Sequence, residues 1–170
     1  MATLITRYGL ALMSSDTRIQ AKPALGHCLC GNIRIKCKEM STEVHVCHCA
    51  TCRGWSGGPA LSIDCGRQVT FEGSEHLRTY DSSEWADRGF CAQCWTHLFY
   101  RLKHDQRYIM PVGLFYTGHP FSLHQQIFID EKPTFYDFAN TTEMLTSAEV
   151  FSQVDSDGSC LLYTSPSPRD

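Results

Sequence analysis

The sequence predicts a mainly β protein in which metal stands in for part of a small core, and three observations carry that expectation. Apolar residues recur with period two over short runs. Ile33, Ile35 and Cys37 alternate with Arg34, Lys36 and Lys38, the pattern of a strand with one buried face. No segment shows a long 3.6-residue apolar period. Finally, seven of the ten cysteines crowd into Cys28-Leu29-Cys30, Cys47-His48-Cys49-Ala50-Thr51-Cys52 and Cys91-Ala92-Gln93-Cys94. Thiols one or two residues apart can turn their sulfurs toward a common point, as a tetrahedral metal requires.

In chain order, the strand around Ile33 is followed by Val44-His45-Val46, which runs directly into the second cysteine cluster. Gly54, Gly57, Gly58 and Pro59 mark a loop, and a strand is expected next at Ala60-Leu61-Ser62-Ile63. Further β-rich runs lie at Val69-Thr70-Phe71, Leu77-Arg78-Thr79-Tyr80, His97-Leu98-Phe99-Tyr100-Arg101, Tyr108-Ile109-Met110 and Gln126-Ile127-Phe128-Ile129. Thr142 to Val154 has the composition of a short helix.

At 170 residues the chain has room for one domain. We divide it into an N-terminal extension (1–24), poorly ordered, a zinc-binding domain (25–140), a C-terminal segment with the short helix (141–159) and a disordered tail (160–170). The apolar patch Tyr8 to Met13 is too short to span a bilayer and makes a poor secretory signal. The tail, with its Ser-Pro repeats, resembles translated adapter or vector sequence, and Cys160 goes with it.

The net charge is -3, and no run of Lys or Arg offers a footprint for nucleic acid or an anionic membrane. Ten cysteines also raise the possibility of a secreted disulfide scaffold. Cys-x-Cys pairs are badly placed to bridge one another, and the CxxC spacings suit metal, so a reducing, cytoplasmic setting is expected. Seven ligands are one short of two four-cysteine sites. One closed site and one three-thiolate site with an open position is the simplest partition, and an open position separates catalytic from structural zinc. Spacing does not say which clusters share a metal. Cys28 and Cys30 could join Cys91 and Cys94, or the middle cluster could lend two ligands to either neighbour.

The ordered set CLCGNI, CHCATC, RGWSG, RGFCAQCWTHLFYR and IFIDEKPTFYDF resembles the GFA family, the glutathione-dependent formaldehyde-activating enzymes with their centromere protein V-like branch, over about Leu25 to Asn140. The resemblance implies small, strongly bent antiparallel β-sheets around two zinc ions per chain. It assigns Cys28, Cys30, Cys91 and Cys94 to a structural zinc, closing a loop of about 60 residues. It assigns Cys47, Cys49 and Cys52 to a second, catalytic zinc with a position open to a thiol or a substrate oxygen. The implied activity is that of a carbon–sulfur lyase forming or cleaving thiol–aldehyde adducts such as S-hydroxymethylglutathione, with glutathione as co-substrate. A cation at such a site favours a thiolate over a thiol and polarises an aldehyde. Three thiolates leave the site net negative, which weakens that polarisation and makes the second zinc labile. The family's second knuckle usually ends in Gly, whereas Trp95 follows Cys94 here. A positive φ is costlier for Trp than for Gly, so a slightly distorted knuckle is expected.

Other residues read more plainly. Cys37 continues an inward face and is a core residue, and Cys65 has no better role. His48 lies between two ligand cysteines, which aims it away from the metal. His45 follows the strand alternation, and His97 reads as a strand residue that could also serve as a general base. Arg53 with Gly54-Trp55-Ser56-Gly57-Gly58 is the candidate substrate mouth, since Arg suits a glutathione carboxylate. Two other functions stay open: a zinc-stabilised interaction module without turnover, and thiol redox chemistry at Cys49 and Cys52.

Overall fold

The computed structural model describes residues 19–20, 23–115 and 118–156, so most of the N-terminal extension and all of the 160–170 tail, with Cys160, lie outside the described residues. β1 (Ile19–Gln20) pairs with β4 (Met40–Ser41). β2 (Ala24–His27) and β3 (Arg34–Cys37) form a hairpin that holds the first cysteine cluster in its turn. β5 (Glu43–Cys47) ends at the second cluster, where α1 (Ala50–Ser56) begins. β6 (Ala60–Asp64), β7 (Val69–Glu72) and β8 (Leu77–Asp81) follow. β9 (Ala86–Cys91) and β10 (His97–Leu102) make a second hairpin with the third cluster in its turn. β11 (Tyr108–Pro111), β12 (Ser122–Ile127), β13 (Glu143–Leu145) and α2 (Ser147–Ser156) complete the chain order.

The protein is therefore mainly β with few helices. Eight strands form one sheet in the order β13-β12-β5-β6-β11-β10-β9-β8, and β2-β3-β7 form a smaller one. Pairing is antiparallel except at β12, which runs parallel to both β5 and β13. The expected alternation is visible in β3 and β5, whose Ile35, Cys37, Val44 and Val46 are buried. One core draws on both sheets: Ile33, Ile35 and Cys37 meet Ile63, Cys65, Leu98, Phe99 and Met110. Cys37 and Cys65 are fully buried, as core thiols. Gly89 lets β10 close over β9, because a Cβ there would lie 2.2 Å from the Phe99 ring. No helix among the described residues is long and apolar enough to cross a membrane.

Three local expectations are corrected. The stretch marked as loop by Gly54 is helical: α1 starts at Cys49, whose sulfur accepts the Cys52 N–H, and stops at Gly57 (φ 76), whose N–H bonds the Arg53 carbonyl. Such a short helix is set by its two caps, and a single Gly inside it costs only about 1 kcal/mol. The strand expected at 126–129 lies earlier, because Phe128 turns into the left-handed region (φ 57) and ends it. In the segment expected to be helical from Thr142, residues Glu143–Leu145 instead extend the large sheet and the helix begins at Ser147.

Candidate metal centres

Each hairpin turn bends a pair of cysteines toward the same point by similar backbone means. In the first, Cys28 N–H bonds the Ile33 carbonyl at 3.0 Å and the chain turns at Gly31 (φ 76). In the second, Cys91 N–H bonds the Thr96 carbonyl at 3.0 Å and the chain turns at Trp95 (φ 59). The residue after the second cysteine is left-handed in both. Trp95 accepts that conformation and packs its ring on Phe90 at a centroid distance of 5.7 Å. The knuckle is not opened by it. Thr96 ties the two turns together, its hydroxyl accepting Leu29 N–H at 3.0 Å and lying 3.1 Å from Cys94 Sγ.

The result is a cluster of four sulfurs, Cys28, Cys30, Cys91 and Cys94, all within 4.8 Å of one another. Cys28 to Cys30 is 3.5 Å and Cys30 to Cys91 is 3.8 Å. A tetrahedron with metal–sulfur bonds of 2.3 Å has edges of about 3.8 Å, so this donor set fits zinc. The Ile33 N–H at 3.3 Å from Cys28 Sγ adds a donor suited to a thiolate.

The second cluster forms where β5 runs into α1. Cys47 closes the strand, Cys49 caps the helix and Cys52 lies in its first turn, placing three sulfurs within 4.8 Å. Among the described residues no histidine or carboxylate joins either group. His48, fully buried, is turned away. Its Nε2 donates to Gln126 Oε1 at 2.9 Å, and its Nδ1 accepts the Tyr136 hydroxyl at 2.7 Å. Desolvation first, against the Gln126 hydrogen bond, lowers its pKa and keeps the ring neutral.

Electrostatics within the trio are uneven. Hydrogen bonds from Cys47 and Cys49, followed by the Arg88 charge, outweigh burial and hold the Cys52 thiol down to about 2. Hydrogen bonding to Cys49 and Cys52, and then burial, push the Cys47 thiol up.

Several residues that shape this region escape a reading of the sequence. Arg88 on β9 is 6% exposed, and its Nη2 donates to Cys52 Sγ at 3.5 Å. Its guanidinium lies 5.6 Å from the Trp55 centroid and 5.0 Å from that of Tyr100. Glu131 accepts the Ala50 N–H at 2.7 Å, and Gln126 with Tyr136 anchors His48. The sequence signal for Arg88 was its place at the head of the RGFCAQCWTHLFYR run, to which no role was given.

The candidate substrate-mouth residue Arg53 sits on α1, half-buried, with Nε donating to the His48 carbonyl at 2.7 Å. His97 stands on β10 and stacks on Trp55 at 4.4 Å, with its pKa lowered by desolvation and then by Arg88. His45 is in β5, its Nδ1 3.2 Å from Gln125 Oε1, and takes no part in either sulfur cluster.

The model of the glutathione-dependent formaldehyde-activating enzyme family matches residues 23–131. A Schizosaccharomyces pombe protein named as an uncharacterized lyase is 34% identical over 130 residues, covering 76% of this chain and 95% of that protein. A solved structure of a Rhodobacter sphaeroides protein is 20% identical, with a TM-score of 0.48, and covers 56% of this chain and 91% of that one. On the family match, which spans both sulfur clusters, and the identity to the yeast protein, this chain belongs to the glutathione-dependent formaldehyde-activating enzyme family.

Proposed function

We propose that the protein is a zinc-dependent carbon–sulfur lyase that forms or cleaves thiol–aldehyde adducts, with glutathione as the thiol and formaldehyde as the simplest aldehyde. The family and the lyase-named relative support a lyase-type activity. The observation that carries the finer reading is the inequality of the two clusters. Four sulfurs converge in one and three in the other, so the second leaves a tetrahedral ion one position for a small molecule. Cys28, Cys30, Cys91 and Cys94 are assigned to a structural zinc, and Cys47, Cys49 and Cys52 to the reactive one. Zinc held by the trio supplies a positive centre that favours thiolate over thiol and polarises an aldehyde oxygen.

The chain's own residues supply the frame. Cys49 and Glu131 fix the first turn of α1, so the three sulfurs keep their mutual distances. His48, between Cys47 and Cys49, ties that segment to β12 through Gln126. Arg53 is the candidate for a glutathione carboxylate, since a planar guanidinium suits bidentate pairing. His97, neutral at pH 7, is the candidate proton acceptor for the incoming thiol. In the reaction a carbon–sulfur bond forms, the carbonyl π electrons move to oxygen, and the thiol proton ends on that oxygen. Cleavage is the reverse. Seven thiols kept available for metal suit a reducing compartment, and we assign the protein to the cytoplasm.

Adduct formation from glutathione and a panel of aldehydes, measured for wild type, Cys49→Ala and buffer alone, tests this reading. Wild type should exceed both. Equal rates for wild type and variant would sink it, and the buffer arm is essential because thiols add to formaldehyde unaided.

A further inference from the structure

Arg88 is a buried cation whose partner is a sulfur. Arg101 pairs with Asp87 at 2.7 Å and Arg107 with Asp64 at 3.1 Å, while Arg53 on α1 bonds the His48 carbonyl. Among the described residues no carboxylate stands within ion-pair distance of Arg88, although it is only 6% exposed. A buried charge without a counter-charge is strongly destabilising, so its partner must be sought in the Cys52 sulfur at 3.5 Å. The side chain is also held in place. It lies between the Trp55 and Tyr100 rings, and Tyr100 is in turn fixed by the Trp85 indole N–H at 3.0 Å. Arg88 faces Tyr100 directly in the β9–β10 register. Its Nε is buried with no acceptor among the described residues, as is that of Arg101, but only Arg88 lies against a cysteine trio.

Charge counting gives this placement a purpose. Three thiolates around a divalent ion leave one net negative charge, and an anionic thiol co-substrate would make it two. Such an accumulation in a partly desolvated site favours protons over metal on the crowded sulfurs and opposes entry of a further anion. We propose that Arg88 is a positioning residue for the Cys47-Cys49-Cys52 trio, balancing its negative charge and orienting the Cys52 sulfur, with the unpartnered Nε–H kept for the anionic ligand that completes the site. The proposal rests on the assignment of zinc to the trio made above. It adds a residue from a different hairpin to the centre, 36 positions from Cys52.

The test compares wild type, Arg88→Met and Arg88→Lys. Zinc affinity is measured by competition with a chromophoric chelator at fixed pH, and the cobalt(II)-loaded proteins are examined for their sulfur-to-metal absorption before and after glutathione is added. Arg88→Met should weaken the weaker zinc roughly 10–100-fold and leave the tighter one unchanged, which also reports an intact fold. Glutathione should no longer perturb the cobalt spectrum. Arg88→Lys keeps the charge without the planar fork and should fall between the two. Weaker-site affinity in Arg88→Met within twofold of wild type overturns the proposal. So does a loss in Arg88→Lys as large as that in Arg88→Met, since packing alone would then account for it. Should Arg88→Met fail to fold, Arg88→Gln is judged against the same bounds. A large loss of affinity in Arg88→Met alongside no adduct formation by wild type upholds Arg88 and removes the enzymatic reading. Unchanged affinity alongside adduct formation does the reverse.

Discussion

The carboxylate of Glu131 accepts the backbone N–H of Ala50 at 2.7 Å, joining the start of α1 to a segment 81 residues further along the chain. Ala50 N–H is one of the donors a helix leaves unpaired in its first turn, and α1 has no acidic residue of its own there. An exposed capping bond of this kind contributes about 0.5–1 kcal/mol. Glu131→Ala is therefore expected to lower global stability by that amount in chemical denaturation. It should also loosen the trio, because Cys49 and Cys52 ride on the turn that Glu131 holds. Zinc competition should show the weaker site affected and the tighter one not. A variant with reduced stability and no change at the weaker site would reduce Glu131 to a surface cap.

Trp95 offers a contest between backbone strain and ring packing. A left-handed conformation costs a non-glycine residue about 1–2 kcal/mol. Stacking on Phe90 returns about 0.5–1.5 kcal/mol. Trp95→Gly relieves the first and forfeits the second, so its thermal midpoint should stay close to wild type. Trp95→Ala keeps the strain and loses the ring, and should be about 1 kcal/mol less stable than Trp95→Gly. Thermal denaturation of both variants checks the ranking. Equal stabilities would show that the turn carries no strain.

The His97 pKa is lowered from its ordinary 6.5 by desolvation against Trp55 and then by the Arg88 charge. The unfolded chain takes up a proton at about 6.5, while the folded ring resists it until lower pH. The stabilising contribution of this ring is thus complete above about 6.5 and is lost as pH falls through the lower folded value. NMR titration of the His97 ring should give a midpoint below 6.5, and Arg88→Lys should leave it lowered. A midpoint at or above 6.5 in wild type contradicts this account.

What could be read in the sequence and what could not divide along one physical line. Local patterns were legible: the alternation in β3 and β5 follows from one buried face, and the close spacing within each cysteine cluster brings its sulfurs together. The meeting of the first and third clusters was left open by spacing and was implied only by resemblance, since it depends on how two hairpins far apart in the chain are brought together. α1 escaped because its stability lies in the Cys49 and Gly57 caps and not in an apolar stripe. Arg88, Glu131 and Tyr136 escaped for a related reason. Each acts on a partner 36 to 88 residues away, and nothing in their immediate neighbours records that partner.

The two clusters should respond differently to loss of one sulfur. Cys91 is fully buried and belongs to the main core, and its cluster pins the β2–β3 turn to the β9–β10 turn. Structural zinc contributes about 10–16 kcal/mol in small zinc-dependent folds, as much as the whole stability of an ordinary domain. Cys91→Ser should therefore abolish the cooperative unfolding transition. Cys49 lies at a helix start, where its sulfur accepts the Cys52 N–H. Serine is among the best residues for that position, so Cys49→Ser keeps the cap while removing a thiolate. That variant should retain cooperative unfolding and one tightly held zinc, with the second metal lost on mild chelation. Metal-to-protein ratios before and after chelation, read beside the unfolding curves, decide the matter. Cooperative unfolding in Cys91→Ser, or its loss in Cys49→Ser, would reverse the roles assigned to the two clusters.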